Sequence, residues 1–323
     1  MLGGAVALGA MTAPAQAAPE QTVTTPVVSR AAVVKDRVMS WNSNGQNLGT
    51  PELLVEQISR YKPQVVTLQE SCRTEVREAV RRLKRQGLEY QIKFGPGTIN
   101  VACDGWTRNG QAVLYAKGTP ARDFDQEYYS DDEGPLEARG YMAFTTRLAN
   151  RWVRVFNTQL SWGAYRDERK TQIKELLHAA QPYSQLLLAG DFNAQPQYSE
   201  MQPIWHARLS DVDPFCGGTY DSRCNSTHVK SDKKFDYILH RGVGSRNCLL
   251  HSVNEDHRVV VSDVSTAAGP WAACTVTWPL IISDDLITRQ AGGRNPPACH
   301  SPLAGRFHTR GRWPTPQPHR GCG

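Results

Sequence analysis

The sequence predicts a mixed α/β layered fold. Strand-like and helix-like segments alternate along the chain. Neighbouring strand segments such as "YMAFTTRL" (141–148) and "VRVFNTQL" (153–160) are separated only by a turn, which makes them antiparallel partners and rules out a strictly parallel sheet. With 323 residues, 40% of them hydrophobic, the chain is long enough to bury a sizeable core.

In chain order, "RVMSWN" (37–42) reads as the first strand. Thr50-Pro51-Glu52 supplies a capping hydroxyl, a proline at the first helical position and an early acid, so a helix starts there and runs to about Tyr61. "PQVVTLQE" (63–70) is the next strand. Val76, Ala79, Val80 and Leu83 recur at helical spacing and mark a second helix, ended at Gly87. "QAVLYA" (111–116) is a strand, followed by the two quoted above. Asp167 opens a helix with Ile173, Leu176, Leu177 and Ala180 on one face. Leu186 to Ala189 form an apolar strand that Gly190 stops. After an irregular Gly/Cys/Asp-rich region come "FDYILH" (235–240) and "RVVVSDV" (258–264).

The ends differ from this body. Met1 to Glu20 holds a short apolar stretch ending in Ala15-Gln16-Ala17, an A-x-A cleavage pattern. It predicts a signal peptide and spacer over 1–34, hence secretion; the plainer alternative is an Ala-rich tail. The stretch is too short to span a bilayer, and no stable membrane insertion is expected. Residues 267–323, rich in Gly, Pro, Arg and His without periodicity, read as a disordered tail or as a basic arm. The formal charge of +6 resides there: Leu286 to Gly323 carries six arginines and no acid, so the rest of the chain is neutral. An anionic partner must therefore be gripped locally. The eight cysteines suit an oxidising compartment, and none has zinc-site spacing. Cys216 and Cys224 bracket a Gly-rich loop and suit a staple, and Cys72 can pair with Cys103. Cys248, Cys274, Cys299 and Cys322 have no assigned partner.

Polar residues mark the strand ends. They are Asn42, Glu70, Asn157 with Gln159, Asp191 with Asn193, Asp236, and Asp256 with His257. Any one alone reads as a cap or a solvated end; together they point to a site. These segments, in this order, resemble the endonuclease/exonuclease/phosphatase superfamily, which includes deoxyribonuclease I, abasic-site endonucleases, sphingomyelinases and inositol-phosphate phosphatases. The likeness covers Arg37 to Thr266, which makes 35–266 the catalytic domain. "GDFN" (190–193) and the "DH" (256–257) before a hydrophobic strand are its most specific marks, supported by "WN" (41–42) and "QE" (69–70). The resemblance implies a four-layer α/β sandwich, two mixed β-sheets packed face to face with helices outside. It also implies a secreted metal-dependent phosphodiesterase, a nuclease acting on DNA or RNA.

The residue types fit that chemistry. Phosphodiester hydrolysis needs an activated water, neutralisation of growing negative charge, and help for the leaving oxygen. Mg²⁺ is hard and uses few carboxylates, so Glu70 is the leading ligand, with Asn42 and Asp256; Mn²⁺ and Ca²⁺ are alternatives. The family's metal site suggests the same residues. His257, the one histidine in these motifs, is the candidate general base, oriented by Asp236. Asp191 and Asn193 are expected to hold the attacking water and a non-bridging phosphate oxygen. Arg139 reads as a phosphate contact or as a surface charge. Gln159 stands where many members of the superfamily have histidine; it can donate a hydrogen bond but cannot transfer a proton. Two readings compete: a phospholipid or phosphomonoester hydrolase of the same superfamily, and a binding protein with a degenerate site, motivated by Gln159 alone. Against the lipid reading, no apolar hairpin is evident, and Tyr128-Tyr129 adjoins the acidic "SDDEG". The sequence identifies no protein partner.

Overall fold

Period-two alternation sorts the apolar side chains of each strand to opposite faces, so strands buried on both faces need an apolar layer on either side. The computed structural model describes residues 32–45, 50–99, 103, 108–131, 138–254, 256–267 and 274–278. Its elements are β1 (Val34–Asn42), α1 (Pro51–Tyr61), β2 (Pro63–Cys72), α2 (Arg73–Arg85), β3 (Tyr90–Ile99), β4 (Arg108–Ala116), β5 (Ala121–Tyr128), β6 (Gly140–Leu148) and β7 (Arg151–Gln159). They continue with α3 (Arg166–Ala180), β8 (Leu186–Asp191), α4 (Gln202–His206), β9 (Ser210–Asp211), β10 (Asp236–Arg241), β11 (Gly244–His251), β12 (Val259–Ser265) and β13 (Thr275–Thr277).

The strands form two mixed sheets, ordered β13-β11-β12-β1-β2-β4-β3 and β5-β6-β7-β8-β10-β9. Among the described residues, β1–β2, β7–β8 and β11–β13 are the parallel pairs. Apart from β13, the two orders match strand for strand in direction: β3, β4, β2, β1, β12 and β11 correspond to β5, β6, β7, β8, β10 and β9. Adjacent residues separate into layers. Val38, Val65, Val113 and Val260 face Val155, Leu187 and Ile238 in the layer between the sheets. Their neighbours Met39, Val66, Leu114 and Val261 pack beneath Leu54, Ile58, Val76 and Leu83 of α1 and α2. Phe156, Leu188 and Leu239 pack beneath Ile173, Leu176 and Ile204 of α3 and α4. The result is a four-layer α/β sandwich. The Thr50 cap forms as expected, its hydroxyl accepting from Leu53 N at 3.3 Å.

Three features depart from the sequence reading. First, β8 does not stop at Gly190 but runs on to Asp191. Gly190 is needed for close approach: φ is +147°, and a Cβ there would lie 2.0 Å from the Thr158 carbonyl oxygen on β7. Second, β3, β5, β9 and β11 were not anticipated. β5, "ARDFDQEY", is a charged, exposed edge strand paired only with β6, and so lacks the apolar pattern of a buried strand. Third, the fold continues past Thr266, because β13 pairs with β11 and Cys274 is bonded to Cys248. Cys72–Cys103 and Cys216–Cys224 are also disulfides. The leader (to Ala31), Cys299, Cys322 and most of the 267–323 tail lie outside the described residues.

Candidate active site

The matched sheets bring equivalent strand ends face to face. Gln159 lies opposite Asp191 in register, and Asp191 opposite Asp236, so the second sheet presents three polar ends in a row. The first sheet answers with Glu70, Asn42 and His257 at the corresponding strands. One side-chain pair then joins each of three matched strand ends. Gln159 Nε2 donates to Glu70 Oε1 at 2.5 Å (β7 to β2). Asn42 Nδ2 donates to Asp191 Oδ2 at 3.0 Å (β1 to β8). His257 Nδ1 meets both oxygens of Asp236, at 2.9 and 3.0 Å (β12 to β10). Asn42 Nδ2 also donates to Glu70 Oε1 at 3.1 Å, which links the first two pairs. Asn157, by contrast, is fully buried beneath the site and joins the sheets through Gln69 and the Leu68 and Ala112 carbonyls.

Local backbone aims these groups. Pairing of β2 with β4 slips by one residue between Leu68 and Ser71, and Glu70 sits in this bulge with φ +49°. A bulge turns a side chain out of the strand's alternation. Gly45 N and Asn109 Nδ2 hold the Glu70 carbonyl at 2.7 and 3.2 Å. After β8 the chain turns through Asn193 at φ +50°, whose N–H donates to Asp191 Oδ1 at 2.9 Å. The Asn193 amide donates to the Leu160 carbonyl at 3.0 Å, so it fastens the ends of β7 and β8 together. Thr227 Oγ1 accepts from Asp236 N at 2.8 Å, and Trp41 Nε1 donates to the His257 carbonyl at 3.2 Å.

Asp256 has its own partners. Asn44 Nδ2 donates to its Oδ2 at 2.6 Å, and His228 Nε2 lies 3.0 Å from Oδ1. Because the Ser231 backbone N–H donates to His228 Nδ1 at 3.1 Å, that nitrogen is an acceptor. The proton on His228 is therefore on Nε2 and points at Asp256. The two imidazoles, His228 and His257, meet edge to face with centroids 4.9 Å apart. His257 Nε2 lies 3.9 Å from both Asp191 and Asp256.

This grouping shifts ionisation. Burial raises the Asp191 carboxyl; His257 opposes that rise and Asp236 adds to it, and the group is pushed up to about 7. Burial disfavours the His257 imidazolium, but Asp236, Asp191 and Asp256 outweigh it and push the ring up to about 10. Burial also opposes the Asp256 charge, yet His228, His257 and Asn44 lower its carboxyl to about 2.

Beside these groups opens a cleft of about 290 Å³, lined by Glu70, Gln159, Arg139, Asn109, Gln111 and Trp162. Arg139 is only 6% exposed, so the surface-charge reading does not hold: it forms part of the cleft wall. Of the three ligands expected from sequence, Glu70 and Asn42 meet, whereas Asp256 is bonded to Asn44 and His228. Glu70 and the Asn42 amide suit a hard divalent cation: turning the amide over would direct Oδ1 at the Glu70 carboxylate. Two other groups, His228 with Asp256 and His257, and Asp191 with Asp236 and His257, each hold their ligand atoms within 4.8 Å of one another. Sequence reasoning missed Asn44, His228 and Trp162. Asn44 was findable by its period-two spacing from Asn42. His228 lies in the irregular region before β10, where no periodicity marks it.

The model of the Endonuclease/Exonuclease/phosphatase family matches residues 39–284. No curated protein matches the chain in sequence. Among solved structures, the human Nocturnin catalytic domain with bound sulfate is 20% identical, with TM-score 0.58, covering 72% of this chain and 96% of that one. D. rerio TDP2 complexed with single strand DNA product is 17% identical, with TM-score 0.55, covering 71% and 98%. An endonuclease/exonuclease/phosphatase from Bacteroides vulgatus is 14% identical, with TM-score 0.55, covering 71% and 98%. Such identities show a shared fold, while the family match spans the greater part of the chain and every strand end described above. The chain belongs to the endonuclease/exonuclease/phosphatase family, whose members hydrolyse phosphoric esters and are typically metal-dependent.

Proposed function

We propose that the protein is a secreted, metal-dependent phosphodiesterase that hydrolyses nucleic-acid strands. The observation that carries this reading is the convergence of Glu70, Asn42, Asp191, Asp236 and His257 through three cross-sheet pairs beside a cleft walled by Arg139. Glu70 and Asn42 would hold the divalent cation, Mg²⁺ being the leading choice. When bound, it would supply Lewis-acid neutralisation of the phosphate. Asp191, with its carboxyl raised towards neutrality, is the group suited to accept a proton from water. His257, held protonated by its carboxylate neighbours, is suited to donate to a phosphoryl or leaving oxygen through Nε2. This reverses the sequence-based assignment of His257 as base; Asp236 keeps its role of orienting the ring. Arg139 contacts the phosphate, Gln159 holds Glu70, and Asn193 secures the turn that carries Asp191. The DNA product in the D. rerio TDP2 structure supports a nucleic-acid substrate, and the three disulfides support export. Among the described residues, no helix is long and apolar enough to cross a membrane.

A turnover assay on plasmid DNA, RNA, sphingomyelin and inositol phosphates, with Mg²⁺, Mn²⁺ or Ca²⁺ and then with excess chelator, tests the proposal. Cleavage of DNA or RNA only with metal is expected, with Glu70→Gln folded but inactive. Full activity in chelator would sink the metal assignment. Turnover of the lipid or the phosphomonoester alone would replace the substrate, and turnover of none would favour a binding protein.

A further inference from the structure

The rim of the cleft formed by β2, β3 and β4 carries three arginines whose arrangement the hydrolytic site does not explain. Arg73 is the first residue of α2 and Arg77 lies one turn on. Both guanidiniums sit over the Phe94 ring, with Cζ 4.6 and 5.5 Å from its centroid. Arg108 opens β4 and donates to the Gly97 carbonyl at 2.9 Å and to Tyr128 Oη at 3.1 Å. Gly97 and Asn109, the neighbour of Arg108, both line the cleft. Cys72, the residue before Arg73, pairs with Asn109 across the sheet, so the cluster is continuous with the cleft wall.

The arrangement works against the fold. Arg73, at the first position of α2, opposes the helix dipole that Glu75 in the same turn favours, and Cys72 makes no side-chain cap there. Arg77 and Arg108 repel Arg73 closely enough to lower its basicity, after burial, which lowers it most. Among the described residues, none of the three is ion-paired with a carboxylate. On the same helix Arg81 and Arg82 are both paired with Glu78. Cations concentrated at the rim of a phosphate-cleaving site, at a cost to local stability, are matched by a chain of phosphates.

We infer that Arg73, Arg77 and Arg108 form a subsite for the backbone phosphates of a polynucleotide that flank the cleaved bond. The inference rests on the phosphodiesterase reading above and adds that the substrate is a strand longer than the scissile diester. The test compares Arg73→Gln/Arg77→Gln with an equal-charge control at the far end of α2, Lys84→Gln/Arg85→Gln. Binding of a fluorescent oligothymidylate is followed against salt in chelator, and turnover of bis(p-nitrophenyl) phosphate is followed with metal.

Two lost contacts to a single strand should reduce the slope of log Kd against log salt by about 1.4, which at about 0.1 M salt is roughly 25-fold weaker binding. The control should keep the wild-type slope, Arg73→Lys/Arg77→Lys should restore it, and adding Arg108→Gln should reduce it further. Turnover of the small diester should not change, and Tm should hold or rise. An unchanged slope, or equal loss in the control, overturns the subsite. A wild type that hydrolyses the small diester without binding the oligonucleotide overturns it while leaving the hydrolase reading intact. A wild type that binds with the expected slope but hydrolyses no diester leaves the subsite standing and overturns the function proposed above.

Discussion

Asp191→Asn should inactivate the enzyme and, at alkaline pH, stabilise it. Asp191 is 1% exposed, and burial raises its carboxyl from 3.8 to about 7. A carboxyl raised on folding binds its proton in the native state while the unfolded chain has lost it. Stability is therefore full below 3.8 and falls as pH rises through about 7. Over that window the loss is about 4 kcal/mol. The attraction of His257 is already contained in the value of about 7. An asparagine removes this cost but still accepts from Asn193 N. Its amide nitrogen would face the Asn42 amide nitrogen, so Asn42 must turn over, giving up the bond that Asn44 N makes to its Oδ1 at 3.1 Å and its own bond to Glu70 Oε1 at 3.1 Å. That rearrangement costs about 2–3 kcal/mol. The variant should thus gain about 1–2 kcal/mol above pH 8 and be about 2–3 kcal/mol less stable than wild type below about pH 4. Urea unfolding in chelator at the two pH values measures both, and kcat should fall by about 10²–10⁴. A stability difference of the same sign and size at both pH values would refute the account of Asp191 as a buried, costly charge.

Gln159→His exchanges the amide that holds Glu70 for a ring; because His257 already supplies the proton in the mechanism proposed above, kcat should not rise, and it should fall where the ring releases Glu70. A rise of about tenfold or more on a cleaved substrate would mean that the leaving group is protonated from β7 and not by His257. His228→Phe should lower kcat by removing the donor that fixes Asp256, and His228→Gln, whose amide nitrogen reaches the position of Nε2, should recover much of it; equal loss in both would reduce His228 to a packing role. Opening Cys248–Cys274, which spans 26 residues, should cost about 3.5 kcal/mol by loop entropy. The double serine variant and truncation before Ala268 should show similar losses in denaturant, and no loss in the truncation would detach β13 from the fold.

The strand ends were legible because they break a pattern. Leu186 to Ala189 must be apolar to fill two layers, so Asp191 and Asn193 directly after them stand out, as do Glu70 after Val65 to Leu68 and His257 before Val259. Helices α1 and α2 were legible from capping and spacing. Groups whose placement depends on a distant chain were not. His228 reaches Asp256 through an isolated bridge to His257, a contact between irregular segments. The partner of Cys274 depends on β13, three residues long and paired only with β11. Arg139 reads from sequence as readily exposed as buried, and only the cleft wall decides it.

What no strand carries by itself is the pairing across the sheets, and that pairing gives the site its polarity. In two of the three pairs the carboxylate's partner is an amide: Gln159 for Glu70 and Asn42 for Asp191. An amide donates a hydrogen bond without contributing charge, so negative charge accumulates at that end, where a cation is needed. In the third pair the partner is an imidazole, and Asp236 holds it protonated. One end of the row therefore attracts a cation and the other offers a proton, with Asp191 between them, its carboxyl raised towards neutrality. On the reading proposed above, a phosphodiester lying along the row would meet these groups in the order that hydrolysis requires. Gln159 then departs from the usual histidine without degrading the site, because it holds Glu70 in place while leaving the carboxylate's charge available to the metal.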